Sequence, residues 1–350
     1  MGYNLLMLEA LSLLLVILGL SVLIIIHELG HFLAARYFGL LVEEFGFGIP
    51  PRMIGKQIGE TLVSLNWLPL GGFVKIYGER HDAEKSGIPP VRSFSHQSAG
   101  RKALIIIAGV AMNFFLGWLL VSAVFMIGAP RAVLITEVKA GSLAESAGLL
   151  AGDQLAGFVS VDAFVKFIDA NQGQEVGLEI KRGAETLNIK VTPRTAVPAG
   201  EGNLGIAVVE TGIPQVGFFQ AFWRGLAASV NMVWMILISV AQLIVGLFTD
   251  ADVFSRFVGP VGIVNVAIQT AKSGLVNLLQ LIALISLNLA VFNILPIPAL
   301  DGGRLLFILI EKIKGSPIPV KTEMAANGLG FALLLFLIFA VTIKDILTLL

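Results

Sequence analysis

His27-Glu28-Leu29-Gly30-His31 sets two imidazoles four residues apart with a carboxylate beside the first. On a helix this spacing brings both histidines to one face, where they can hold a zinc ion while the glutamate acts on a bound water. Catalytic zinc takes three protein ligands and keeps one position open. The chain has no cysteine, so a third ligand must be His, Asp or Glu. The other histidines, His81 and His96, lie in a charged loop and read as ordinary solvated side chains. Asp301 is the stronger candidate. It follows an apolar run in Asn293-Ile294-Leu295-Pro296-Ile297-Pro298-Ala299-Leu300-Asp301-Gly302-Gly303, where the prolines break the helix and can aim the carboxylate inward. Asp250 and Asp252 compete with it, and read instead as the end of a peripheral helix.

The elements that must carry these groups are membrane helices. Of 350 residues, 56% are apolar and 14% charged, against roughly 25% charged in soluble domains, and the mean hydropathy is +0.87. The 24 basic and 24 acidic residues cancel, which gives no support to nucleic-acid binding. The first apolar run, Leu5 to about Ala35, is roughly 45 Å long as a helix, against a hydrocarbon core of about 30 Å. It has no preceding Lys or Arg and no small-residue cleavage site, so it reads as a retained span. Nine Lys and Arg between Arg36 and Lys102 place the following loop in the cytoplasm and the N-terminus outside. Further spans are expected over Ala103 to Ile127, Leu275 to Ile297 and Ala325 to Ile343, with Arg304, Lys312, Lys314 and Lys321 marking the last loop as cytoplasmic and the C-terminus as extracytoplasmic.

Between the second and third of these spans the composition turns soluble. Val133 to Val138, Val176 to Lys181 and Leu187 to Val191 alternate as strands, Val161 to Ala170 reads as a short helix, and Arg182-Gly183-Ala184-Glu185 as a hairpin turn. Pro193 to Pro214 reads as a linker. Phe218 to Phe248 is apolar enough to span, yet Gln220, Arg224, Asn231 and Gln242 fall within about 40° on a helical projection, the pattern of a helix lying in the interface. Topology favours that reading: if this helix crossed, Asp301 would emerge about 30 Å from the histidines. Asp252 to Lys272 is expected to be a second peripheral helix, broken at Gly259-Pro260.

The HELGH helix together with N-x-x-P-x-P-x-L-D-G-G resembles the site-2 protease family of intramembrane zinc metalloproteases, and most closely the bacterial regulator-of-sigma-E type with a single PDZ. The resemblance covers nearly the whole chain. It includes Pro69-Leu70-Gly71-Gly72-Phe73-Val74-Lys75, Gly259-Pro260-Val261-Gly262-Ile263 and Asn288. Gly141 to Leu149 with Gly152-Asp153 resembles the PDZ domains of bacterial proteases. Where the family has A-G-P-x-x-N, this chain has Ala108-Gly109-Val110-Ala111-Met112-Asn113, losing the proline and its bend but keeping the asparagine. The resemblance implies one Zn2+ on His27, His31 and Asp301, Glu28 as the catalytic residue, and substrate contacts from Asn293, Pro296, Pro298, Gly71, Gly72 and Phe73. It further implies single-span membrane substrates such as anti-sigma factors or remnant signal peptides. The setting is the bacterial inner membrane and its lipid, with an extracytoplasmic PDZ-like domain that meets a peptide or the substrate's outer domain.

The expected architecture is a polytopic α-helical membrane protein of about four transmembrane helices, with an inserted β-rich PDZ-like domain and a membrane-associated β-hairpin. The hairpin is read from the alternation of Thr61 to Leu68 and Gly71 to Ile76, and could pair with an unwound substrate by strand addition. Four regions follow: an N-terminal membrane core over 1–128, the PDZ-like domain over 129–198, linker and interfacial helices over 199–274, and a C-terminal membrane core over 275–350. Two other functions compete with this one. A catalytically silent PDZ adaptor would be free to lose His27, Glu28, His31 and Asp301, and a metal transporter needs polar groups through the membrane depth rather than gathered near one face.

Overall fold

The computed structural model describes residues 2–79, 88–183, 185–196, 202–249, 259–272 and 274–349. His81, Asp250 and Asp252 lie outside them. Two compact units emerge, one of residues 1–123 with 222–350 and one of residues 124–221. Among the described residues five helical stretches are long and apolar enough to cross a membrane: Leu18–Tyr37, Ala99–Ile127, Phe218–Gly246, Leu275–Ile294 and Val320–Leu347.

In the first unit α1 (Gly2–Tyr37) runs through the apolar N-terminal sequence. Gly39, at φ +77°, lets the chain turn out of the helix, while the Gly39 and Leu40 N–H groups donate back to the Arg36 and Ala35 carbonyls. Strands β1 (Val42–Ile58) and β2 (Thr61–Ile76) follow. Their pairing corrects the expected hairpin. Thr61 to Leu68 and Gly71 to Ile76 belong to one long strand and do not pair with each other. Val42–Phe47 lies between them, matched to residues 72–76 on one side (Phe45↔Val74, Phe47↔Gly72) and to residues 62–65 on the other (Phe45↔Val63, Phe47↔Leu65). Residues 52–58 then close back on 61–66, turning at Gly59 with φ +61°. The segment Gly72–Ile76 therefore ends the sheet on one side.

Helix α2 (Ala99–Ile127) passes unbroken through Val110; without the family proline no backbone N–H is missing and no kink is required. Helix α5 (Phe218–Thr249) exposes Gln220, Arg224, Asn231 and Gln242. Its small residue Gly225 meets the Ser122 backbone of α2, where a Cβ would collide. Helix α6 (Pro260–Lys272) packs against α1, α7 (Leu275–Ile294) and α9 (Val320–Leu349). The Asp345 carboxylate of α9 accepts from the Gly259 and Gly262 N–H groups at 3.2 and 2.8 Å, capping the N-terminus of α6. Helix α7 (Leu275–Ile294) stops two residues before Pro296, and α8 (Asp301–Lys314) starts on Asp301 itself; α9 (Val320–Leu349) completes the unit.

The second unit contains a sheet in the order β6-β5-β4-β3-β7, made of β3 (Ala129–Val138), β4 (Gln154–Leu155), β5 (Val176–Arg182), β6 (Glu185–Val191) and β7 (Ile206–Ile213). The short α3 (Leu143–Ser146) and α4 (Val161–Ala170) accompany it. The linker expected over Pro193 to Pro214 contains a strand at residues 206–213. They form β7, paired antiparallel with β3 (Leu134↔Val209, Ile135↔Val208), because a partner strand distant in sequence supplies order that their own glycine-interrupted alternation does not announce. The core gathers Val133, Ile135, Leu149, Leu155, Phe164, Ile168, Leu178 and Ile180. Asp153 is 1% exposed and takes both arms of Arg182 at 2.7 Å, plus the Leu150 N–H at 2.9 Å. Those bonds, chiefly the Arg182 guanidinium, hold its carboxyl below the usual range.

Candidate metal centre and active site

Helical spacing brings His27 and His31 to one face of α1, and their Nε2 atoms lie 3.2 Å apart. Asp301 Oδ2 lies 3.0 Å from His27 Nε2 and 3.3 Å from His31 Nε2. A tetrahedral ion with bonds of about 2.0–2.1 Å holds neighbouring ligand atoms about 3.3 Å apart, so the three atoms match a zinc triad. Asp301 Oδ2 is also buried with no hydrogen-bond donor. Two imidazole nitrogens converging on a buried carboxylate oxygen that has no hydrogen-bond donor match the donor set of a metal site. Among the described residues this is the one group of His, Asp or Glu so placed.

One face of α2 supports both histidines. Ile105, Gly109 and Asn113 recur every four residues along it. The Ile105 carbonyl lies 2.9 Å from His31 Nδ1, which donates to it and leaves Nε2 free to ligate. A Cβ on Gly109 would collide with the His31 ring, and one on Gly30 with the Ala108 carbonyl. Glycine at both positions lets α1 and α2 approach closely. Asn113 Nδ2 lies 3.3 Å from His27 Nδ1.

Asp301 arrives from the far end of the chain. After α7, Leu295-Pro296-Ile297-Pro298-Ala299-Leu300 carries the backbone to the start of α8, with Ala299 at φ +77°. The Asn327 side chain of α9 accepts from Ala299 N–H at 3.0 Å. Gly302 and Gly303 are buried against the Ile294, Leu295 and Ile297 carbonyls, so the first turn of α8 folds back tightly on this loop.

Two cavities open onto Glu28, Gly72 and Asp301. The smaller, about 260 Å³, is lined among others by His27, Gly71, Asn113 and Asn293. The larger, about 730 Å³, adds His31, Phe73, Glu79, Arg304 and Glu323. Asn293 Nδ2 lies 3.4 Å from His27 Nε2. Glu28, Asn293, Gly71, Gly72 and Phe73 are thus gathered around the triad. Pro296 and Pro298 line neither cavity; they shape the loop, with the Pro298 backbone pressed against Gly330 of α9. His96 is elsewhere, exposed beside Ser95 Oγ at 3.1 Å. The sequence alone assigns no part in the site to Asn113, Glu79 or Asn327, and reads Arg304 only as a charge of the last loop. Only Asn113 carried a signal, as the last residue of the A-G-x-x-x-N stretch. In the second unit a separate apolar groove of about 180 Å³ lies between α4 and the terminal strand β7, lined by Phe164, Ile168, Leu204, Ile206 and Val208.

Three side chains placed to hold a metal, with a carboxylate beside them and on helices apolar enough to cross a membrane, are the arrangement of a membrane metalloprotease, the class that the comparisons with known proteins give this chain. The sequence profile of peptidase family M50 matches residues 15–337. A provisionally named zinc metalloprotease of Clostridium perfringens is 35% identical over 338 residues, covering 94% of this chain and 97% of that protein. The regulator of sigma-W protease RasP of Bacillus subtilis is 29% identical over 414 residues, covering 93% and 95%. The chloroplastic membrane metalloprotease ARASP of Arabidopsis thaliana is 31% identical over 352 residues, covering 94% and 77%. The chain belongs to peptidase family M50, the site-2 protease family.

Proposed function

We propose that this multi-pass membrane protein is an intramembrane zinc endopeptidase. It cuts the transmembrane segments of single-span proteins, of the anti-sigma-factor or remnant-signal-peptide type, in regulated intramembrane proteolysis. The observation that carries this reading is the meeting of His27, His31 and Asp301 within 3.3 Å, beside Glu28, on helices apolar enough to lie in a bilayer.

His27 Nε2, His31 Nε2 and Asp301 would hold one zinc ion, which would supply Lewis-acid polarisation of the scissile carbonyl and a lowered pKa for the attacking water. The Glu28 carboxylate takes the proton of that water and hands it to the leaving amine. Asn293 Nδ2 donates to the substrate backbone as charge builds on its carbonyl oxygen. A substrate helix cannot be cut while its carbonyls are paired, so an unwound segment must find other partners. Gly72–Ile76, ending the sheet beside Glu28, is suited to add it as a further strand, with Gly71, Gly72 and Phe73 at the point of entry.

In this reading α1, α2, α7 and α9 cross the bacterial inner membrane and α5 lies along its surface, which keeps the histidines and Asp301 toward the cytoplasmic side with both termini outside. The PDZ-like unit stands on the extracytoplasmic side. Its groove between α4 and β7 screens substrates by taking an extended peptide or refusing a bulky outer domain. The test is cleavage of a single-span substrate lacking its outer domain by the purified protein and by Glu28→Gln, with bound zinc counted in both. Cleavage by the parent alone, with zinc in both, supports the reading. Zinc in both without cleavage of a panel of such substrates, or no zinc at all, overturns it.

A further inference from the structure

A histidine that ligates through Nε2 must carry its proton on Nδ1, and a buried Nδ1–H needs an acceptor. His31 has the Ile105 carbonyl. For His27 the group within reach of Nδ1 among the described residues is the Asn113 amide, whose Nδ2 lies at 3.3 Å and whose Oδ1 is buried with no partner. Asn113 is 0% exposed, and its backbone carbonyl accepts from Ser286 Oγ of α7 at 2.7 Å, so the residue is pinned between helices with its side chain on the ring. In this orientation the amide turns a donor toward a nitrogen that must itself donate, and leaves its own acceptor unused. A half-turn about the terminal side-chain bond exchanges two atoms of nearly equal size and resolves both mismatches.

We infer that Asn113 is a positioning residue: with zinc bound it presents Oδ1 to His27 Nδ1–H, which fixes the ligating tautomer and the ring's orientation. The inference rests on the metal reading proposed above. It gives the two histidines matching supports on one face of α2, the Ile105 carbonyl for His31 and the Asn113 amide for His27, two helical turns apart.

The test is zinc affinity, measured by competition with a chromogenic chelator, for the parent, Asn113→Leu and Asn113→Asp in detergent, with thermal unfolding of each metal-free protein alongside. Leucine fills the space and accepts nothing. Its zinc affinity is expected to fall about 10- to 100-fold, the usual cost of losing such a support. Aspartate can only accept, and is expected to bind zinc within about threefold of the parent or more tightly, whatever it does to metal-free stability. Parent-like affinity in the folded Leu variant overturns the inference, as does a tenfold or greater loss in the Asp variant. The Asp measurement alone decides if the Leu variant does not fold. A parent that binds no zinc overturns the metal reading itself, a result distinct from either of these.

Discussion

Arg304 Nη1 lies 2.6 Å from Glu79 Oε1, and this ion pair ties the end of β2 to the helix that opens with Asp301. The second Glu79 oxygen accepts from Ile76 N–H at 3.4 Å, so one side chain holds both the proposed substrate strand and the first turn of α8. Glu79 is 12% exposed and Arg304 33%, so removing either leaves a largely desolvated charge without its partner. Glu79→Gln and Arg304→Met are each expected to lower stability by about 2–3 kcal/mol and to slow cleavage. The double variant should lose less than the sum, with a coupling of about 1–3 kcal/mol in a thermal-unfolding cycle. Strictly additive losses would mean that the pair joins nothing.

Gly72 sits where the strand meets the catalytic helix. A Cβ there would lie 3.0 Å from Ile24 Cγ2 and 3.1 Å from Glu28 Cγ, close enough to move the carboxylate by a few tenths of an ångström. Gly72→Ala is expected to keep its zinc and lose about 10- to 100-fold in kcat, because the proposed general base, Glu28, is displaced while the proposed ligands are not. Zinc content and single-turnover cleavage, measured on the same preparation, check this; parent-like turnover would show that Glu28 tolerates the shift.

How much of this was legible in the sequence depends on the range of the interaction. His27, Glu28 and His31 are set by one helical repeat, and Asp301 stood out as a carboxylate released by two prolines after an apolar run. The strands of the second unit with local alternation, such as Val176 to Lys181, were also readable. The sheet of the first unit was not, because Val42–Phe47 inserts between two halves of β2 and no periodicity reports which strand enters between two others. Strand β7 was hidden for the same reason, its order coming from β3 more than sixty residues earlier. Asn113 is marked locally only by its A-G-x-x-x-N stretch, which does not say what it supports, and Glu79 and Asn327 have meaning only once helices and a strand end distant in sequence have met.

The second unit should show its own acid limit. Asp153 is held ionised by Arg182, with its pKa in the folded chain below the unfolded value of about 3.9. The stability this contributes is complete above that value and is lost as the pH falls from about 4 through the lower folded pKa. Asp153→Asn is expected to cost about 1.5–3 kcal/mol at neutral pH and to blunt the fall in stability below pH 4. Amide exchange protection in β4 and β5 of the full chain, corrected for intrinsic rates, is the measurement. Equal acid sensitivity in parent and variant would assign the acid limit to another group.

Two glycines on α9, one either side of Leu329, separate helix propensity from positioning. Around Gly328 a Cβ would meet nothing within 4 Å, so alanine there gains helix propensity and should stabilise by about 0.5–1 kcal/mol without touching activity. At Gly330 the same Cβ would collide with the backbone carbonyl of Pro298, in the loop that delivers Asp301 and that Asn327 holds through Ala299. Gly330→Ala must push that loop away from α9. Since Asp301 begins the next helix, its carboxylate moves with the loop, and the proposed ligand triad opens. The expected outcome is a zinc affinity at least tenfold weaker than the parent's, with cleavage lost in proportion, while Gly328→Ala retains both. Chelator competition on the two variants decides the matter: equal zinc affinities would mean that the α9 contact does not position Asp301.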